Sequence, residues 1–336
     1  MDQSFDTYIS QLENYLEIKY PYRSKPVDYP IDKIIVFDPD MVGSDLDFIS
    51  DLFADELNCS LSLATDYDFT ARVNSQTLVI FFCSSGNSEK IKYALNQLID
   101  KKAKVLNIGY ENSHFLQTLS LHNHSDFLEL PAVSPFLSKS TVLLNLTVGI
   151  ILARILPAKP DKLLQHIHSL IAFLDAENDP SREIAKQIAI RLFNKKIYIF
   201  GPAILKPNLI QLKSQLQKIA KYPSRFVTMS EYTDYELNVI IGDQENTALI
   251  FLKNQHLNDA MEYRINLIKK HKLQTTDTLI QIETKRNHLT EEIFYLAYIA
   301  DLVSWNLKEL TIPEPVVQHQ TTLNKMIQHK NIHISK

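Results

Sequence analysis

Glycine, cysteine and charge of one sign are all scarce in this chain. Its 336 residues include six glycines, two cysteines and one tryptophan, and the formal net charge is only -4. Two cysteines, Cys59 and Cys83, cannot build a disulfide framework and match no zinc-ligand spacing. The mild acidity, without a basic cluster or an arginine-and-aromatic stripe, argues against a nucleic-acid partner. No GxGxxG or GxxxxGKS occurs, so nucleotide binding by those routes is unsupported. His122 and His124 have no third ligand close in sequence, and His166 and His168, two apart on a helix, do not share a face. Neither a metal nor another cofactor is therefore expected. The most apolar segment, Thr141 to Leu156, is interrupted by Asn145 and Arg154 and falls short of the ~20 residues a membrane span needs. It reads as a buried core helix. The opening MDQSFDTYISQLENYLEIKY has no basic stretch followed by an apolar core, so a cytoplasmic protein without membrane contact is expected.

What is present is a repeated strand-and-helix grammar. Thr77 to Phe82 is an apolar, β-branched and aromatic run without a period of its own, the pattern of a strand covered on both faces. It feeds the turn Cys83-Ser84-Ser85-Gly86-Asn87-Ser88, and from Glu89 the residues Ile91, Leu95, Leu98 and Ile99 fall on one helical stripe. Such a turn presents backbone N–H groups and hydroxyls at a helix N-terminus, where an anion is favoured; the same residues also serve as ordinary caps. Other strands are read at Lys33–Phe37, Leu61–Thr65, Lys104–Ile108 and Phe127–Leu130, with a helix between Leu46 and Leu57 and another from Pro135 to Leu156. A second round follows, with strands at Lys196–Phe200, Arg225–Thr228, Ala248–Leu252 and Thr278–Ile282, and helices at Leu209–Ala220 and Ile293–Leu307. Alternation of this kind implies right-handed crossovers and parallel sheets.

The expected fold class is α/β, with two three-layer α/β/α domains. We read an N-terminal helix and linker over 1–27, a first domain over 28–156, a helical bridge over 157–180, a second domain over 181–311 and a C-terminal helix and tail over 312–336. Gly43, Gly86, Gly109, Gly201 and Gly242 each fall just after an expected strand. Ligands of open parallel sheets bind at those carboxyl ends.

Several stretches, in order and spacing, resemble the sugar isomerase (SIS) superfamily, and within it the bifunctional phosphoglucose/phosphomannose isomerases. Met41-Val42-Gly43-Ser44 stands where that family has GMGGS, and Cys83 to Glu89 is similar to its SYSGNTE. Gln215 to Lys221 resembles QLNENAK, while Ala300-Asp301-Leu302-Val303-Ser304 and Pro313-Glu314-Pro315-Val316 resemble ADWVS and DPTPV. The resemblance implies two SIS domains, a homodimer, and a sugar phosphate held in the first domain by Gly43, Ser44, Cys83, Ser85 and Ser88. Cysteine is a weaker donor than the family's serine, and Asp40 and Val42 replace two glycines of its first turn.

Aldose–ketose isomerisation needs an acid for ring opening, a base at the carbon-bound proton and a cation beside the developing oxyanion. At the family's base this chain has Lys218, at its histidine Asp234, and at its arginine Phe136, with Lys139 one helical turn further on. Glu236 and Glu231 are alternative proton acceptors. Lys218, Asp234, Glu236 and Lys139 are therefore the candidate catalytic set. Two functions stay open: isomerisation of glucose 6-phosphate or mannose 6-phosphate to fructose 6-phosphate, and a diverged protein that binds or senses a phosphosugar.

Overall fold

The computed structural model describes residue 10 and residues 31–37, 59–64, 67–83, 89–98, 101–110, 126–130, 140–155, 160–230, 246–254, 259–272, 278–284 and 288–311. Most of the N-terminal helix, the helix read between Leu46 and Leu57, residues 135–139 and the tail 312–336 lie outside them.

Among the described residues nine strands form two parallel sheets. The first holds β1 (Lys33–Phe37), β2 (Ser60–Ala64), β3 (Thr77–Cys83), β4 (Lys104–Tyr110) and β5 (Asp126–Leu130), in the order β2-β1-β3-β4-β5. The second holds β6 (Lys196–Gly201), β7 (Ser224–Thr228), β8 (Thr247–Lys253) and β9 (Thr278–Glu283), ordered β7-β6-β8-β9. Counted from the first strand of each half, both sheets run second, first, third, fourth. The repeat expected from the sequence is thus present in the strand order, and a fifth strand extends the first sheet alone among the described residues.

Seven α-helices complete the described fold: α1 (Glu89–Leu98), α2 (Thr141–Ile155), α3 (Pro160–Ala176), α4 (Asn178–Leu192), α5 (Lys206–Lys218), α6 (Asp259–Lys272) and α7 (Leu289–Leu310). The missing period of Thr77–Phe82 has the expected cause. Val79 and Phe81 share one face with Ile35, Phe37 and the α1 residues Ile91, Ala94, Leu95 and Leu98. Leu78, Ile80 and Phe82 point the other way, into a core that continues through α2, α4, α5 and α7 to the second sheet. Both faces are dry, so both must be apolar.

Two expectations are corrected. Gly109 does not follow a strand but lies inside β4, opposite Cys83 on one side and Glu129 on the other, because the ladder runs on to Tyr110. Gly201 is likewise the last residue of β6, and a Cβ there would sit 3.0 Å from the Leu209 side chain and 3.3 Å from the Leu252 carbonyl oxygen. The apolar helix α2 packs against α3 and α7, as expected of a buried core helix. Glycine scarcity leaves a trace in the turns. Lys102, Asn194, Lys221 and Asn246 take left-handed backbone angles (φ 56°, 57°, 62° and 55°) just ahead of β4, β6, β7 and β8. Glycine would adopt that conformation without the ~1–2 kcal/mol Cβ penalty.

Candidate functional site

The strands bearing the two motif turns are neighbours. β1 and β3 pair in parallel, Phe37 opposite Phe81, so the segments leaving their carboxyl ends start side by side. The strand order places β2 on one side of β1 and β3 on the other, which makes this edge the topological switch point of the first sheet. Cys83 closes β3 there, and α1 begins six residues later at Glu89. Gly43, Ser44, Ser85 and Ser88 lie outside the described residues, as do Lys139, Asp234 and Glu236.

Lys218 is described, as the last residue of α5, half-buried. A cation at that position complements the negative end of the helix dipole, which accounts for lysine there on structural grounds alone. Of the candidate catalytic residues, it is the one among the described residues.

A set that residue-by-residue reasoning underrated is fully formed. The carboxylate of Asp301, buried in the middle of α7, accepts hydrogen bonds from Ser140 Oγ (2.7 Å), Gln215 Nε2 (2.8 Å) and Gln211 Nε2 (3.2 Å). Gln211 Nε2 also reaches the Ala297 carbonyl at 3.1 Å. Ser140 caps α2 at the same time, its Oγ accepting from Leu143 N–H at 3.1 Å and its carbonyl from Leu144 N–H. One carboxylate therefore joins three helices, α2 from the first half of the chain to α5 and α7 from the second. Gln215 and Asp301 entered the sequence comparison as letters of two separate motifs. In the structure they are a single hydrogen bond, and Gln211, at the i−4 position on the same helical face, completes it. The signal for it was present in the sequence as polar side chains interrupting apolar helical stripes.

Elsewhere α7 is packing, as its composition suggests. Tyr298 and Trp305 are buried, and Tyr298 OH donates to Asn178 Oδ1 at 2.6 Å. Burial holds the Tyr298 phenol well above its ordinary range. Cys59 is half-buried, its thiol pushed up first by burial and then by the charge of Asp32. Among the described residues no cluster of His, Cys, Asp or Glu is arranged to hold a metal, and no helix is long and apolar enough to cross a membrane.

Comparison with known proteins places this architecture. Residues 181–322 match the family profile of the bacterial phospho-glucose isomerase C-terminal SIS domain. A bifunctional phosphoglucose/phosphomannose isomerase of Caldicellulosiruptor bescii is 26% identical over 282 residues, covering 79% of this chain and 81% of that protein. In fold the chain is similar to a candidate phosphosugar isomerase of Clostridium difficile 630 (TM-score 0.66, 13% identity, 95% of this chain and 97% of that one). It is also similar to the C-terminal domain of glucosamine-fructose-6-phosphate aminotransferase from Francisella tularensis (TM-score 0.63, 12% identity, 92% and 94%). Residues 181–322 therefore match a SIS domain, and the chain as a whole, with its two parallel sheets of common strand order, is similar to the bifunctional phosphoglucose/phosphomannose isomerases.

Proposed function

We propose that the first half of the chain binds a sugar phosphate, with Gly43, Ser44, Cys83, Ser85 and Ser88 as the phosphate contacts. The observation that carries this is the similarity, over 79% of the chain, to a protein named as a bifunctional phosphoglucose/phosphomannose isomerase. It is supported by the pairing of β1 with β3 at a topological switch point and by the start of α1 six residues after β3 ends, a helix N-terminus of the kind that favours anions. On this reading the protein is a cytoplasmic homodimer that needs neither metal nor nucleotide.

If the site is catalytic, the reaction is interconversion of glucose 6-phosphate or mannose 6-phosphate with fructose 6-phosphate. Lys139 would then supply the cation beside the enediolate oxygen, Asp234 the proton for ring opening, and Glu236 or Lys218 the base. The second reading is a diverged phosphosugar-binding or sensing protein. It is favoured by the resemblance read in the sequence, which puts Lys218, Asp234 and Phe136 at the family's base, acid and cation positions.

Calorimetric titration with fructose 6-phosphate, glucose 6-phosphate and mannose 6-phosphate tests the shared claim. Saturable binding is expected, and Ser85→Ala should weaken it by roughly tenfold, the loss of one hydrogen bond to a charged group. No heat and no thermal shift with any of the three would overturn it. A coupled assay on fructose 6-phosphate at high enzyme concentration separates the two readings: turnover supports the isomerase, and binding without turnover the sensor.

A further inference from the structure

The carboxyl edge of the second sheet holds polar groups for which neither the fold nor the proposed phosphate site has a use. Pairing of β8 with β9 continues one step past the strands, where Thr284 N–H donates to the Lys253 carbonyl at 3.1 Å. This sets Asn254 and Thr284 side by side. Along β8 the alternation sends Leu249 and Phe251 toward α6 and Ala248, Ile250 and Leu252 toward the core under α5 and α7. Lys253 follows the first set and meets Glu262 of α6 at 3.4 Å. Asn254 follows the second set, and Thr284, two residues beyond Ile282, shares its face.

On that face α5 and α7 both begin, tied together where Asn208 Nδ2 donates to the Ile293 carbonyl at 2.9 Å. Asn208, Asn254 and Thr284 are only 1%, 3% and 2% exposed. Yet Asn208 Oδ1, both polar atoms of the Asn254 amide and the Thr284 hydroxyl have no hydrogen-bond partner among the described residues. Buried amides and hydroxyls without partners are costly and rare in folded proteins, so a convergent group of them marks a place where something else supplies the bonds. Asn254 leaves β8 beside the switch point of the second sheet, which lies between β6 and β8, and Thr284 leaves β9, the strand on the other side of β8.

We infer that the buried amides and hydroxyl of Asn208, Asn254 and Thr284 form a second ligand site, at the carboxyl edge of the second sheet, for an uncharged hydroxyl-rich molecule of the polyol or sugar class. The chemistry selects the class. Acceptors outnumber donors, which suits hydroxyl groups that donate, and none of the three side chains carries the positive charge a phosphate calls for. The strand-end cation, Lys253, faces away toward Glu262.

The test uses the full chain, with glucitol and myo-inositol as probes in ligand-observed saturation-transfer NMR and calorimetry. Saturable binding of at least one polyol is expected. It should weaken by roughly tenfold in Asn254→Ala and in Thr284→Val, each of which removes hydrogen bonds of ordinary strength, and stay unchanged in Ser85→Ala. Thr284→Val keeps the side-chain shape, so it carries the test if Asn254→Ala fails to fold. No saturable signal from either polyol, or affinity unmoved in a folded Thr284→Val variant, overturns the inference. So does a crystal structure in which ordered water satisfies Asn254 and Thr284 and polyol soaks leave that water in place. Loss of polyol binding in Ser85→Ala would assign the polyols to the first sheet instead, also against it. Failure of fructose 6-phosphate to bind would touch only the phosphosugar proposal.

Discussion

Replacing Asp301 by alanine tests whether the two halves of the chain are held by one buried carboxylate. Three donors converge on it, at 2.7, 2.8 and 3.2 Å, from helices on both sides of the junction. The substitution leaves Ser140 Oγ and the Gln215 amide inside the protein without their shared acceptor, while Gln211 keeps the Ala297 carbonyl. Each stranded buried donor costs about 1–3 kcal/mol, and two are stranded. The expected loss is therefore about 2–6 kcal/mol. Asp301→Asn keeps the volume and one acceptor oxygen, so it should lose less than half as much. The assay is urea unfolding followed by far-UV circular dichroism and by Trp305 fluorescence, a probe one turn further along α7. Asp301→Ala should lower the midpoint and make the two signals part company, because Ser140 and Asp301 are 161 residues apart and belong to different sheets' supporting helices. A double-mutant cycle with Ser140→Ala should return a coupling of about 1–3 kcal/mol. A loss below about 1 kcal/mol in Asp301→Ala, with coincident transitions, would refute the reasoning.

Two further outcomes follow from buried groups elsewhere. Tyr298→Phe removes the 2.6 Å hydrogen bond to Asn178 and should cost about 1 kcal/mol at neutral pH. The folded phenol titrates above its unfolded value of about 10, so the wild type should lose stability as pH rises beyond about 10. The variant should show a shallower loss in that window, and equal slopes in alkaline melts would contradict this. For Cys59, whose thiol is held protonated by burial and by Asp32, slow alkylation at neutral pH is expected, with faster labelling in Asp32→Asn. Peptide-resolved mass spectrometry reads Cys59 apart from Cys83, and equal rates in the two proteins would discount the Asp32 charge.

Local chemistry by itself determined a good deal here. The unbroken apolar run of Thr77–Phe82, the helical stripe through Leu95 and Leu98 and the spacing of the later strands each name their element, because burial on both faces or on one leaves a period that can be read residue by residue. The scarcity of glycine likewise pointed to the strand ends, though Gly109 turned out to lie within its strand because pairing on both sides extends β4. The meeting of Ser140, Gln211, Gln215 and Asp301 was settled only by the tertiary structure, as was the pairing that sets Asn254 beside Thr284. A hydrogen bond across 161 residues leaves no period in either partner's neighbourhood. The sequence shows a polar residue on an apolar stripe; which partner satisfies it is fixed by how helices from both halves pack.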